Sequence, residues 1–134
     1  MAIETPKNSF MAYSGTTLQI YRICAVIENG VIQFWKSLEP MHHDEAIFYI
    51  PDLNSAAVYA VRRAIELGHN TPLVMGGMLS ELYKGTQELP VGFHFPVCTV
   101  FIPKRGANFD DSDVYRGDIT DKFEEKRPSD MLNT

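Results

Sequence analysis

Residues 18–36, LQIYRICAVIENGVIQFWK, are apolar at most positions and carry one turn signal. Asn29-Gly30 tolerates the positive φ of a tight type I′ turn, so the run predicts a β-hairpin. Read as a strand, 18–28 sets Leu18, Ile20, Cys24 and Val26 on one face and Tyr21, Ile23, Ala25 and Ile27 on the other. A strand with one wet face alternates apolar with polar side chains. This one does not, so both faces require cover. The same holds for VGFHFPVCTVFIP at 91–103, where Phe93, Phe95, Val97 and Phe101 alternate with His94, Cys98, Val100 and Ile102. Pro96 interrupts that ladder and favours a bulge or a fresh start at Val97. AIFYI at 46–50 reads as a short strand ended by Pro51.

The helical period is clearest at 54–67. Asn54 or Ser55 can cap this helix, and Gly68 is placed to stop it in the left-handed conformation. Leu53, Ala57, Val61, Ala64 and Ile65 form an inward stripe; Ser55, Tyr59, Arg62 and Glu66 form an outward row. Thr71-Pro72 and Gly85 bracket a second helix. Gly76-Gly77 would cost that helix roughly 2 kcal/mol against alanines. Either a neighbour packs tightly on the glycines, or 72–75 begins as a strand; one helix is the preferred reading.

These elements predict an α+β domain in the order β-β-β-α-α-β, a mostly antiparallel sheet of about four strands with both helices on one face. The arm at 1–17 offers Phe10, Met11 and Tyr13 as docking side chains without deciding for a strand. Composition changes after Arg105, which divides the chain into a globular part, 1–105, and an acidic, partly ordered tail, 106–134. In the tail Phe109, Val114, Tyr115, Ile119 and Phe123 are spaced by charges.

Charge follows this division. Of the net −5, residues 1–105 contribute nine acids against eight bases, and the tail eight acids against four. A near-neutral globular part gives nucleic acid no electrostatic footprint. No stretch approaches the ~20 apolar residues of a membrane span, and MAIETPKNS lacks the apolar segment of a secretion signal. A cytoplasmic protein without nucleic-acid or membrane partners is expected, with Cys24 and Cys98 as buried thiols.

Candidate chemistry is sparse. Met41-His42-His43-Asp44-Glu45 is rich in ligand-type residues, but in an extended segment neighbours alternate in direction, and His69 or His94 would have to complete a site. No metal site and no cofactor is therefore expected. His94, between two phenylalanines, reads first as a satisfied histidine at a pocket rim or strand end; the competing reading is a general base with Asp44 or Glu45 as its carboxylate. Tyr59, Arg62 and Arg63 on the outer face of the helix, together with His94, are the candidate ligand-binding residues; pairing of the arginines with Glu66 is the competing reading. Arg116-Gly117-Asp118 spells an adhesion tripeptide by coincidence. The Lys-Ser/Thr of a phosphate-binding loop, CxxC, HExxH and a nucleophile elbow are absent.

The functional expectation is a non-enzymatic, self-associating binding or inhibitor-type module. Its uncovered sheet face would meet a second copy, and a protein or small-molecule ligand would lie at the junction. The alternatives are a small transferase or hydrolase using His94 with a carboxylate, and an inert monomer whose arm and tail cover the open face.

Overall fold

A computed structural model of the chain describes residues 10–28, 30–35, 50–78 and 94–132. In chain order come β1 (Met11–Thr17), α1 (Leu18–Cys24), β2 (Ala25–Glu28), β3 (Val31–Trp35), α2 (Leu53–Leu67), β4 (Pro72–Met78), β5 (His94–Pro96), β6 (Thr99–Pro103) and β7 (Phe123–Lys126). Short 3₁₀ turns lie at Asp111–Tyr115, Thr120–Lys122 and Pro128–Met131. A four-stranded antiparallel sheet runs β1-β4-β6-β7, and a second antiparallel sheet runs β2-β3-β5. The class is the expected α+β, with an antiparallel four-stranded sheet and two helices. Several elements stand elsewhere than the pattern placed them.

The first is α1. Residues 18–24 form a helix and not the start of a strand, and the arm before them supplies β1. Thr17 caps α1 by accepting the Ile20 N–H at 3.2 Å. Ile20, Tyr21 and Cys24 then share the buried face, while Gln19, Arg22 and Ile23 face outward. The apolar run suits either period, and the cap decides it. Only 25–28 remain for the hairpin, whose turn has Gly30 at φ 78°.

The second is β4, where the sequence favoured a helix. Val74 and the flanking pair Leu73 and Met75 join different cores, which is the period of a strand buried on both faces. The glycine pair serves close packing. A Cβ on Gly76 would come within 2.8 Å of Thr99 Cγ2 on β6. Pro72 opens the strand, where its missing N–H costs little. The rest of the expected second helix, 79–85, lies outside the described residues, as do 46–49 of the short strand. Ile50 does bridge to Tyr13, with N–H···O bonds of 2.7 and 2.8 Å.

The sheet is covered on both sides from within the chain, and the helices do not share a face. Below it, α2 lays Ala56, Ala57, Ala60 and Val61 against Val74, with Ile119 and Phe123 completing that core. Above it, Ile20, Tyr21 and Cys24 of α1 join Phe34 and Val97 over Ala12, Leu73, Met75 and Val100. The open face that motivated dimerisation through the four-stranded sheet is thus occupied by α1 and the second sheet.

α2 is capped two to three residues earlier than expected, by Asp52, which accepts the Ser55 N–H at 3.0 Å, and ends at Gly68 with φ 71°. Its stripe is centred on the alanines, and Ile65, expected inside, is 42% exposed. Small side chains allow a close approach: a Cβ on Gly15 of β1 would run into Ala56 O and lie 2.7 Å from Ala60 N.

After Arg105 the chain stays joined to the elements before it. β7 pairs with β6 along its length. Asn54 of α2 donates to Gly117 O at 3.0 Å and accepts from Ile119 N–H at 2.7 Å. Val97 and Cys98 carry the chain between sheets, Val97 N–H bonding Ile32 O and Cys98 N–H bonding Gly76 O. The fresh start expected after Pro96 is this passage. It leaves Cys98 exposed where a buried thiol was expected; Cys24 is buried.

Candidate functional site

A cleft of about 420 Å3 opens where the end of α2, the connection to β4 and the segment after β6 meet. Val61, Ala64 and Ile65 line it from α2, and Ile102 and Pro103 from β6. Phe109 closes the far side, and His69, Asn70, Thr71 and Asn108 add polar groups. Ile65, exposed and absent from the buried core, lines the cleft instead.

Two polar clusters hold the cleft in shape. On one side His69 Nδ1 lies 2.8 Å from the hydroxyl of fully buried Thr17. That hydroxyl also accepts the Ile20 N–H and, with a second lone pair and its own proton, meets Nδ1 in either tautomer of the ring. The connection is further tied by Leu18 N–H to Thr71 O at 2.8 Å.

On the other side Lys122 Nζ reaches the Asp113 carboxylate at 2.8 Å and Asn108 O at 2.9 Å. The same ammonium lies 5.1 Å from the centroid of the Phe109 ring. Asp113 is buried and also accepts the Asp110 N–H at 2.8 Å, with Arg116 at 3.5 Å. The hydrogen bond from Lys122, then that from the Asp110 backbone, holds its carboxyl below the usual range. Charge is spent here on fixing the 108–110 wall.

No Asp, Glu, Lys or Arg lines the cleft among the described residues. The side-chain amides of Asn70 and Asn108 have no protein hydrogen-bond partner among those residues. The site sets neutral donors and acceptors beside apolar side chains, with polar and apolar surface in similar measure.

The residues singled out from the sequence lie elsewhere. Tyr59 and Arg62 do come together, on a smaller cleft of about 230 Å3 between α2 and Ile50, with Gly15, Ala56 and Val58. The Arg63 guanidinium carbon lies 5.9 Å from the Tyr59 ring centroid. Arg62 forms no ion pair with Glu66 or another described residue. His94 does not join them. It belongs to β5, opposite Trp35 in the second sheet, and the four-stranded sheet stands between that layer and α2. Asp44, Glu45 and the whole 41–45 cluster lie outside the described residues. Among the described residues no group of three His, Cys, Asp or Glu side chains converges as metal ligands, and no helix is long and apolar enough to cross a membrane.

Elsewhere, the Tyr21 ring stacks on Phe34 at 6.2 Å, and its buried hydroxyl has no partner among the described residues. Burial pushes that phenol up to about 12. The outer surface around α1 and the hairpin carries exposed Ile23, Ile27 and Val31. Comparison of the chain with protein-family models, with curated proteins and with solved structures finds no match.

Proposed function

We propose that this protein is a non-enzymatic binding module that holds a small uncharged ligand between the end of α2 and the segment after β6. The observation carrying this reading is the cleft itself: about 420 Å3, walled by Ile65, Ile102, Pro103 and Phe109, with polar but uncharged side chains at its rim. Pockets for small ligands begin at roughly 300 Å3 and combine apolar walls with a few fixed polar groups. The walls are preformed, because Asp113 with Lys122 and Thr17 with His69 brace the two sides. Preorganisation of this kind reduces the ordering cost of binding. Amide NMR of the full chain titrated with small uncharged ring compounds tests the reading. Shifts should concentrate at residues 61–72 and 102–109; a panel that moves none of them refutes it.

Exposed apolar side chains favour a second reading, self-association. Ile23 and Ile27 are 66% and 64% exposed and Val31 is 46% exposed, on three adjoining elements. β2 is also the outer strand of its sheet among the described residues, and an outer strand with apolar neighbours is a template for pairing with another copy. Sedimentation at micromolar concentration should give a mass above 15.2 kDa, reduced to the monomer by Ile27→Lys. A single monomeric species in the wild type removes this reading and leaves the cleft untouched.

A further inference from the structure

Resting on the cleft reading above, we propose that its ligand is an uncharged planar carboxamide or lactam-type heterocycle, a ring bearing a carbonyl oxygen beside an N–H. The walls ask for a ring. Val61 and Ile65 of α2, Pro103 at the end of β6 and the Phe109 ring supply apolar side chains to the cleft, while Ile102 packs toward the α1 side of the sheet. The volume suits one or two fused rings and not an extended chain.

The rim selects the polar edge. Asn70 and Asn108 each carry a carbonyl and an NH₂ unused by the protein among the described residues. An amide side chain meets an adjacent donor and acceptor with two parallel hydrogen bonds, as it meets the edge of a base. His69, with Nδ1 engaged by Thr17, has Nε2 left for the polar edge of a ligand, as donor to a carbonyl oxygen or acceptor from an N–H according to its tautomer. A ligand with only an acceptor would make fewer hydrogen bonds at this rim than one with both groups, and a hydrocarbon would make none.

Charge is excluded on the same grounds. A carboxylate in the slot would lose hydration without a counter-ion, since the nearby ammonium of Lys122 is already held by Asp113 and Asn108 O. An ammonium would find no acid on the lining.

The test titrates the full chain with benzamide, nicotinamide, benzoate and toluene, following amide shifts at 61–72 and 102–109. Benzamide and nicotinamide should bind at the cleft, and benzoate and toluene about tenfold more weakly or worse, the scale set by one unmade hydrogen bond. Asn70→Ala and Asn108→Ala should each weaken the carboxamides about fivefold and leave toluene unchanged. Both side chains are exposed, so the variants keep the fold, which the unperturbed remainder of the spectrum verifies. Toluene or benzoate binding as tightly as benzamide at the same residues overturns the ligand class while the cleft reading stands. Alanine variants that both bind benzamide like the wild type overturn the ligand class in the same way. Silence from all four probes overturns both.

Discussion

Replacing Gly15 with alanine probes the close approach of α2 to β1. The new Cβ would collide with Ala56 O and sit 2.7 Å from Ala60 N, both backbone atoms of a helix and neither able to swing aside. Ordinary contact lies at about 3.5 Å or beyond, so α2 must retreat by roughly 1 Å at that point. A gap of that size forfeits about a quarter to a half of the dispersion energy along the facing row. That row is Ala56, Ala57, Ala60, Val61 and Ala64, the whole buried face of the helix. Overpacking of this kind costs about 1–3 kcal/mol, and rigid neighbours put the value near the top. Gly15 does not have positive φ, so alanine recovers about 0.4–1 kcal/mol by restricting the unfolded chain. The net is a loss of about 2 kcal/mol, or roughly 6–8 °C in Tm. Urea unfolding followed by circular dichroism measures it. A variant as stable as the wild type would show that α2 does not rest on β1 at this point.

Tyr21→Phe removes a buried hydroxyl that bonds to nothing among the described residues, so stability should stay level or rise by up to about 1 kcal/mol; a clear loss in the same urea assay means the hydroxyl has a partner. The depressed carboxyl of Asp113 implies acid sensitivity. Its folded-state pKa lies below the unfolded value of 3.8, so its contribution is complete above that value and is lost as pH falls through the lower folded one. Asp113→Asn should therefore flatten the fall in Tm below pH 4 relative to wild type, and an unchanged slope would count against the Lys122 contact. Thr17→Val keeps the shape but loses the α1 cap and the bond to His69, which should cost about 1–2 kcal/mol; amide exchange at Ile20 should speed up, and protected exchange there would refute the cap.

What the sequence shows of this fold depends on how many constraints bear on each stretch. α2 was legible because period, stop glycine and length agree; its cap, Asp52 in place of Asn54 or Ser55, and Ile65, exposed where the inward stripe included it, were misplaced. The hairpin turn and the break at Pro96 were legible because glycine and proline act through the backbone alone. Residues 18–24 were not. With Gln19 and Arg22 three apart, the polar positions suit one outer helix face, while the apolar ones suit a doubly buried strand. The bond from Thr17 settles the choice, and it depends on geometry rather than pattern. In the same way Gly76 looks like a helix defect until Thr99 is found against it. The cleft was invisible for a different reason. Ile65, His69, Asn70, Ile102 and Asn108 come from separated segments, and none has a side chain that announces chemistry. The one available hint was an isoleucine at the margin of an otherwise alanine-lined helix face.

The bonds from Asn54 to Gly117 and Ile119 span 63 and 65 residues, and this spacing bears on how the chain matures during synthesis. α2 leaves the ribosome before the segments that grip it, with its alanine face ready. The clamp on its first turn, and the strand that completes the sheet beneath it, follow that turn by 63 residues or more. Until Phe123 and its neighbours emerge, Val74 and Phe101 have only part of their cover, and the nascent chain carries that apolar surface through the interval. A ribosome paused between residues 105 and 117 would hold the domain with this surface open. The acidic segment then does two things at once. Its charges keep the growing end soluble, and its scattered apolar side chains close the core when they arrive.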